Sequence, residues 1–328
     1  MKFIHTFEDI ISIENLLLAW GEFIRGKHKR ADVQEFQLRF MSNILSLHTD
    51  LRNRAYKHGP YQHFKISDPK PRDIHKATVR DRILHRALYR KLYLFFDNLF
   101  IYDSYSCRKM KGTHRAFNRF RAIASWVNDG DRRTCFVLKC DVRKFFASID
   151  QEILINILTK WITNKDILCL MKTIIGSFNS GTLGKGLPLG NLTSQLLVNI
   201  YMNEFDQWMK HTLKVKYYIR YADDFVILHT DKGYLQELIW RIDTFLLEKL
   251  KLSLHPDKVF IKTLASGIDF LGWVHFPTHR VLRTTTKRRM FRRLKENPKK
   301  ETIISYLGLL GHGNTFKLKQ KVKLFIKS

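Results

Sequence analysis

Tyr221-Ala222-Asp223-Asp224 stands between two apolar stretches, Tyr217-Tyr218-Ile219 and Phe225-Val226-Ile227-Leu228. Aromatic and β-branched residues on both sides predict two short strands. The Ala-Asp-Asp step between them predicts a tight hairpin, with Asp supplying the tolerance for turn geometry. No other stretch constrains the fold as much, because this one fixes two neighbouring strands and puts adjacent carboxylates at their junction. Such carboxylates repel one another unless a cation offsets them. Mg²⁺ suits the task, since it takes a few carboxylate oxygens and keeps room for water and phosphate. Taken alone, the four residues also fit a solvated acidic turn, so the rest of the chain decides between the two readings.

A chain of 328 residues can hold one large domain or a few small ones. Hydrophobic residues make up 45% of it, enough for a packed core and against wholesale disorder. The 58 basic residues outnumber the 30 acidic ones, giving +28 and a pI near 10.0. That balance points to a polyanion, nucleic acid first and an anionic membrane second. No apolar run approaches the roughly 20 residues of a spanning helix, so no membrane partner is expected. The first twenty residues carry Glu8, Asp9 and Glu14 against Lys2, unlike a secretion signal, and set Ile10, Ile13, Leu17 and Trp20 at helical spacing. Cys107, Cys135, Cys140 and Cys169 lack Cys-x-x-Cys spacing, which argues against a zinc ribbon and predicts reduced thiols in a cytoplasmic protein.

Three segments are expected: 1–55, 56–276 and 277–328. The first reads as helical with a basic interruption at residues 25–30. The second opens with polar, turn-rich text over 57–82, followed by a helix carrying Ile83, Leu84, Ala87, Leu88, Leu92 and Phe95. A loop-rich stretch with Tyr105-Ser106-Cys107-Arg108 and Lys111-Gly112-Thr113-His114 comes next. Phe136 to Val142 then reads as a buried strand ending on Asp141, and Asp150 as the cap of a following helix. A Gly-rich loop spans 176–190 and feeds a helix with Asn191 as its cap and Leu192, Leu196 and Ile200 in one row. After the hairpin, a helix over about 235–250 and strand-like text to Phe276 complete the segment. Strand, helix, helix, hairpin, helix, strand predicts an α+β fold with a ferredoxin-like split β-α-β sheet. The last segment reads as basic helices, with Lys287, Arg288, Arg289, Arg292 and Arg293 among its charges.

If the strand ending at Asp141 neighbours the hairpin, three carboxylates meet at one point. Two-metal phosphoryl transfer needs that arrangement: one ion activates a 3′-hydroxyl, the other offsets charge on leaving pyrophosphate, and the ions lie roughly 4 Å apart. Asp141 and Asp223 would bridge the ions, with Asp224 a partial ligand or a support behind them.

Phe136 to Asp150 resembles the first catalytic motif of reverse transcriptases, and Tyr221-Ala222-Asp223-Asp224 their second. Gly267-Ile268-Asp269-Phe270-Leu271-Gly272 resembles their primer grip; Lys70, Arg72 and Arg80-Asp81-Arg82 resemble the fingers motifs. The resemblance implies a right-hand polymerase: an N-terminal helical extension (1–55), fingers and palm (56–276) and a small basic thumb (277–328). It implies two Mg²⁺ ions, with Mn²⁺ as a possible substitute, held at Asp141, Val142, Asp223 and Asp224. Lys70 and Arg72 would meet the triphosphate, Phe146 would gate the sugar against a 2′-hydroxyl, and Lys258 would protonate pyrophosphate. Arg288, Arg289, Arg292 and Arg293 would grip an RNA–DNA duplex through its phosphates.

Within that superfamily, Gly186-Leu187-Pro188-Leu189-Gly190-Asn191-Leu192-Thr193-Ser194-Gln195 discriminates. Group II intron and retroviral enzymes usually carry Gln where this chain has Leu189, and intron enzymes commonly place Pro where it has Gln195. The Leu-Gly-x-x-x-Ser-Gln form, with Tyr105-Ser-Cys-Arg and Lys111-Gly-Thr-His, resembles reverse transcriptases of diversity-generating retroelements. Those enzymes copy a template-repeat RNA from dNTPs into cDNA with errors opposite adenine (mutagenic retrohoming), and work with a small basic accessory variability protein. Leu189 cannot make the hydrogen bond to the incoming nucleotide that Gln makes, which implies looser selection. No nuclease or maturase extension is recognisable after the basic segment. Two other readings stay open: an intron-like or domesticated reverse transcriptase of ordinary fidelity, and a non-catalytic RNA-binding protein on the same scaffold.

Overall fold

The computed structural model describes residues 2–67 and 71–327, with side chains given to residue 325. Helices and strands follow in this order: α1 (Phe7–Ile11), α2 (Ile13–Ile24), α3 (Ala31–Leu38), α4 (Phe40–Arg52), β1 (Gln62–Ile66), β2 (Arg72–Lys76), α5 (Val79–Asp97), α6 (Thr113–Asn128) and β3 (Phe136–Asp141). They continue with α7 (Phe145–Ser148), α8 (Gln151–Thr159), α9 (Lys165–Gly176), α10 (Leu192–Gln207), β4 (Tyr218–Tyr221), β5 (Asp224–His229) and α11 (Lys232–Leu250). The chain ends with β6 (Phe260–Thr263), β7 (Ile268–Phe270), β8 (Trp273–His275), β9 (Arg280–Leu282), α12 (Thr284–Glu296), α13 (Lys300–Leu310) and α14 (Phe316–Lys327). This is a mixed α+β fold with small antiparallel sheets.

Two compact units emerge. The first comprises residues 2–102, 142–213 and 243–253. Its centre is α5, which packs against α2 and α10. Thr78 caps α5 by accepting from the Asp81 amide at 3.2 Å. Asp81 is fully buried and satisfied by the Tyr56 hydroxyl (2.7 Å), the Gly59 amide (3.1 Å) and the Thr78 hydroxyl (2.5 Å). The polar text over 57–82 therefore holds more than turns: β1 and β2 pair antiparallel, with His63 opposite His75. β1 is exposed throughout and β2 is half-buried at three consecutive residues, so neither shows the alternation that would mark it as a strand. Asp150 caps α8 as expected, accepting from the Ile153 amide.

Asn191 precedes α10 but makes no side-chain cap bond. Its carboxamide turns to β2 instead, donating to the His75 carbonyl at 2.8 Å and accepting from the Ala77 amide at 3.4 Å. The His75 amide donates to the Leu189 carbonyl at 3.0 Å. Between them Gly190 has φ +106°, and a Cβ there would lie 2.8 Å from Ile74. The 189–191 segment is thus stitched onto β2, and that contact replaces the expected cap.

The second unit comprises residues 103–141, 214–242 and 254–327. Its four-stranded sheet has the order β4-β5-β3-β6, all antiparallel. Val137, Ile219, Val226 and Leu228 form a core with Ala116, Phe120, Ile123 and Val127 of α6. α6 is a helix in the stretch expected to be loop-rich, and its apolar residues recur at helical spacing. A three-stranded sheet, β7-β8-β9, continues past residue 276 into the basic segment. Trp273 and Leu282 pack there with Met290 and Leu294 of α12, Ile303 and Leu310 of α13 and Val322 of α14. Burying those faces leaves Arg288, Arg292 and Arg293 exposed on α12.

Candidate active site

The register of β3 on β5 sets Asp141 opposite Asp224, and β4 on β5 sets Tyr221 opposite Asp224. Ala222 and Asp223 form the two-residue connection. Asp141, Asp223 and Asp224 therefore meet at one end of the sheet. Ala222, not an Asp, takes the left-handed conformation, with φ +56°. Arg220 holds that unfavourable turn. Its side chain is fully buried, and the guanidinium donates to the Ala222 carbonyl at 3.1 Å and to the Ser104 hydroxyl at 3.1 Å. Ser104 lies beside Arg220 in a parallel bridge, and the Tyr105 amide donates to the Arg220 carbonyl at 3.0 Å. The Thr113 hydroxyl donates to Tyr221 at 3.2 Å. The residues flanking and opening the two loop-like motifs, 105–108 and 111–114, thus brace the hairpin from outside.

The carboxylates differ in surroundings. Asp141 accepts from Lys258 Nζ at 2.8 Å, and its own carbonyl accepts from the His255 amide at 2.8 Å. Lys258 reaches it from a short 3₁₀ turn, Pro256–Lys258, capped by His255. Asp224 Oδ2 lies 3.3 Å from Lys139 Nζ. Its Oδ1 is sealed from solvent and has no hydrogen-bond partner. Burial pushes the Asp224 carboxyl up to about 6, Lys139 opposing the shift and Asp141 and Asp223 adding to it.

Among the described residues, no three His, Cys, Asp or Glu side chains already stand as a metal-holding cluster. The donor set nonetheless fits a hard divalent cation. It is all oxygen and one buried oxygen is orphaned, while Lys139 and Lys258 each take up an oxygen of Asp224 and Asp141. Val142 follows Asp141 with its side chain buried.

In the first unit, Arg72, Phe146 and Leu189 line one cavity of about 530 Å³ together with His75, Phe178 and Leu187. Phe145 turns into the core while Phe146 faces the cavity, which separates the two adjacent rings by role. Gln195 sits in the first turn of α10, away from that lining. Lys70 lies outside the described residues. Arg80 and Arg82 pair with Asp50 and Asp32, and Asp81 is the buried knot described above. Arg289 is half-buried on α12, beside the exposed Arg288, Arg292 and Arg293. Lys139 and Arg220 carry no sequence signal of their own, and Thr113 stands out only as part of the 111–114 motif; register and bracing contacts show what they do. All four cysteines are free thiols, and among the described residues no helix is long and apolar enough to cross a membrane.

The protein YkfC of Escherichia coli K12 is 26% identical over 293 residues, covering 76% of this chain and 74% of its own. The group II intron-encoded protein LtrA of Lactococcus lactis is 22% identical over 281 residues, covering 64% of this chain. The chain spans only 45% of LtrA's length. The profile of reverse transcriptases (RNA-dependent DNA polymerases) matches residues 65–275, most of the chain and all three carboxylates. With the carboxylates at one sheet end and the match running through both units, this chain belongs to the reverse transcriptase family.

Proposed function

We propose that the chain is an error-prone RNA-directed DNA polymerase of the diversity-generating type, copying a template-repeat RNA into mutagenised cDNA. The observation that carries the polymerase reading is the pairing of Asp141 with Asp224 across β3 and β5, with Asp223 in the turn. In this reading Asp141, Asp223 and Asp224, with the main chain at Val142, hold two Mg²⁺ ions. When bound, these supply Lewis-acid activation of the primer 3′-hydroxyl and charge neutralisation on pyrophosphate. Lys258 stands ready as a proton donor beside Asp141, and Arg72 meets the triphosphate with its guanidinium fork. Phe146 excludes the 2′-hydroxyl.

The sheet order supports assigning a ferredoxin-like palm. Residues 1–55 then form an N-terminal extension, 56–276 fingers and palm, and 277–328 a thumb. α12 grips the duplex through Arg288, Arg289, Arg292 and Arg293. Gln195 acts through the first turn of α10, and a small basic accessory protein docks on the N-terminal helices or the thumb.

Leu189 in the wall of the cavity, beside Phe146, supports the error-prone reading. Leu offers no hydrogen bond to the incoming nucleotide, a difference of about 1 kcal/mol, or several-fold in discrimination. The intron-encoded relative favours the second reading, an enzyme of ordinary fidelity. Sequencing cDNA made from a defined RNA separates them. The expected result is errors concentrated opposite adenine, reduced several-fold by Leu189→Gln; a low, even error spectrum favours the intron-like enzyme.

A further inference from the structure

Lysine is out of place at position 139. It lies in β3, between β5 and β6, flanked by Leu138 and Cys140, both fully buried, and is itself only 8% exposed. An ammonium there is costly unless paired, and an apolar residue of similar length would pack as well without that cost. Its contacts show what it does instead. Nζ donates to the Asp269 carbonyl of β7 at 2.7 Å and lies 3.3 Å from Asp224 Oδ2. It therefore pins one oxygen of the hairpin carboxylate and leaves the other, the sealed Oδ1, without a protein partner.

The contact does not end at β7. Asp269 uses its main chain for Lys139 and its side chain for Arg283, which forms an ion pair with Asp269 Oδ1. Arg283 is the residue that opens α12, and its own amide donates to the Gly272 carbonyl at 3.1 Å. Three polar steps, Asp224 to Lys139, Lys139 to Asp269 and Asp269 to Arg283, thus join the catalytic turn to the start of the basic helix. Every step lies inside the second unit. Lys139 and Asp269 each bond both neighbours in this path, so a displacement of α12 reaches Asp224 through polar contacts.

We propose that Lys139 is a positioning residue that, with Asp269 and Arg283, couples the grip of α12 on nucleic acid to the placement of Asp224. The inference rests on the reading of Asp224 as part of the catalytic set. It predicts that the carboxylate is fully aligned only when primer and template occupy α12.

The test is a double-mutant cycle on single-nucleotide addition to a DNA primer on an RNA template, with kcat and the KM for primer–template measured separately. Lys139→Met should lower kcat about 30-fold or more while moving that KM less than about twofold. Asp269→Asn removes the charge at the Arg283 end, weakening the ion pair to a neutral hydrogen bond, and leaves the main-chain bond to Lys139, so it should fold normally; it should lower kcat about fivefold. The double variant should be no slower than Lys139→Met alone, because both changes break one path. A second readout needs no chemistry. In EDTA, binding an RNA–DNA duplex should slow amide exchange over residues 218–229 in the wild type and not in Asp269→Asn. Wild-type kcat in Asp269→Asn, multiplicative losses in the double variant, or equal protection in both proteins would overturn the coupling. A wild-type protein that adds no nucleotide would instead sink the polymerase reading beneath it.

Discussion

Asp224→Asn is expected to make the metal-free protein more stable while destroying its chemistry. The Asp224 carboxyl stands near 6 against an ordinary 3.8, mainly because it is buried. The sign follows from proton binding. Between pH 3.8 and about 6 the folded chain holds a proton there that the unfolded chain releases, so stability falls as pH rises through that window. Above it the ionised group carries a constant penalty. At 1.36 kcal/mol per pKa unit, that penalty is about 3 kcal/mol. Asn removes the charge, keeps the shape and can still accept from Lys139. The expected gain at pH 8 in EDTA is about 1–3 kcal/mol, which for a chain of this length raises the thermal midpoint by roughly 2–4 °C. Below pH 4 the two proteins should melt together, and Mg²⁺ should raise the wild type more than the variant. Urea and thermal unfolding followed by circular dichroism across pH 3.5–8 measure all of this. A variant no more stable than wild type at pH 8, or equally favoured at pH 3.5, would refute the electrostatic account of the site.

Three further outcomes are expected. Phe146→Ala should relax discrimination against ribonucleotides about tenfold or more in competition assays, since the ring faces the cavity while Phe145 holds the core. Asn191→Ala removes the carboxamide that bonds both His75 and Ala77, so it should lower the urea midpoint by the equivalent of about 1–3 kcal/mol. Replacing Arg288, Arg289, Arg292 and Arg293 together by Gln should weaken duplex binding at low salt. It should also flatten the slope of log affinity against log salt, by up to about 3.

The hairpin, the strand ending at Asp141 and the helix after Asp150 were legible because each rests on local pattern: apolar runs, a turn and a cap. α6 was missed: Ala116, Phe117, Phe120, Ile123, Ala124 and Val127 follow helical spacing, but the motifs around Gly112 draw attention to the turns before it. β1 and β2 were not legible either, because neither alternates: β1 is exposed throughout and β2 is half-buried over 74–76 on both faces. Asn191 has the residue type of a cap, but a tertiary contact to β2 outcompetes the local bond. Lys139 and Arg220 read as two more basic residues in a chain of 58. Only burial and register distinguish them, and both are properties of the fold. Arg80-Asp81-Arg82 resembles a fingers motif, and the fold shows what these residues do locally: Arg80 and Arg82 pair with Asp50 and Asp32.

The central claim is that Asp141, Asp223 and Asp224 form one catalytic site for DNA synthesis on RNA. Primer extension on a defined RNA template, with dNTPs, Mg²⁺ and any required accessory protein, tests it most directly. The wild type should extend the primer, and Asp141→Asn and Asp223→Asn should each lose about 10³-fold or more in rate while binding primer–template normally. Extension by either variant at a rate near wild type would contradict the account.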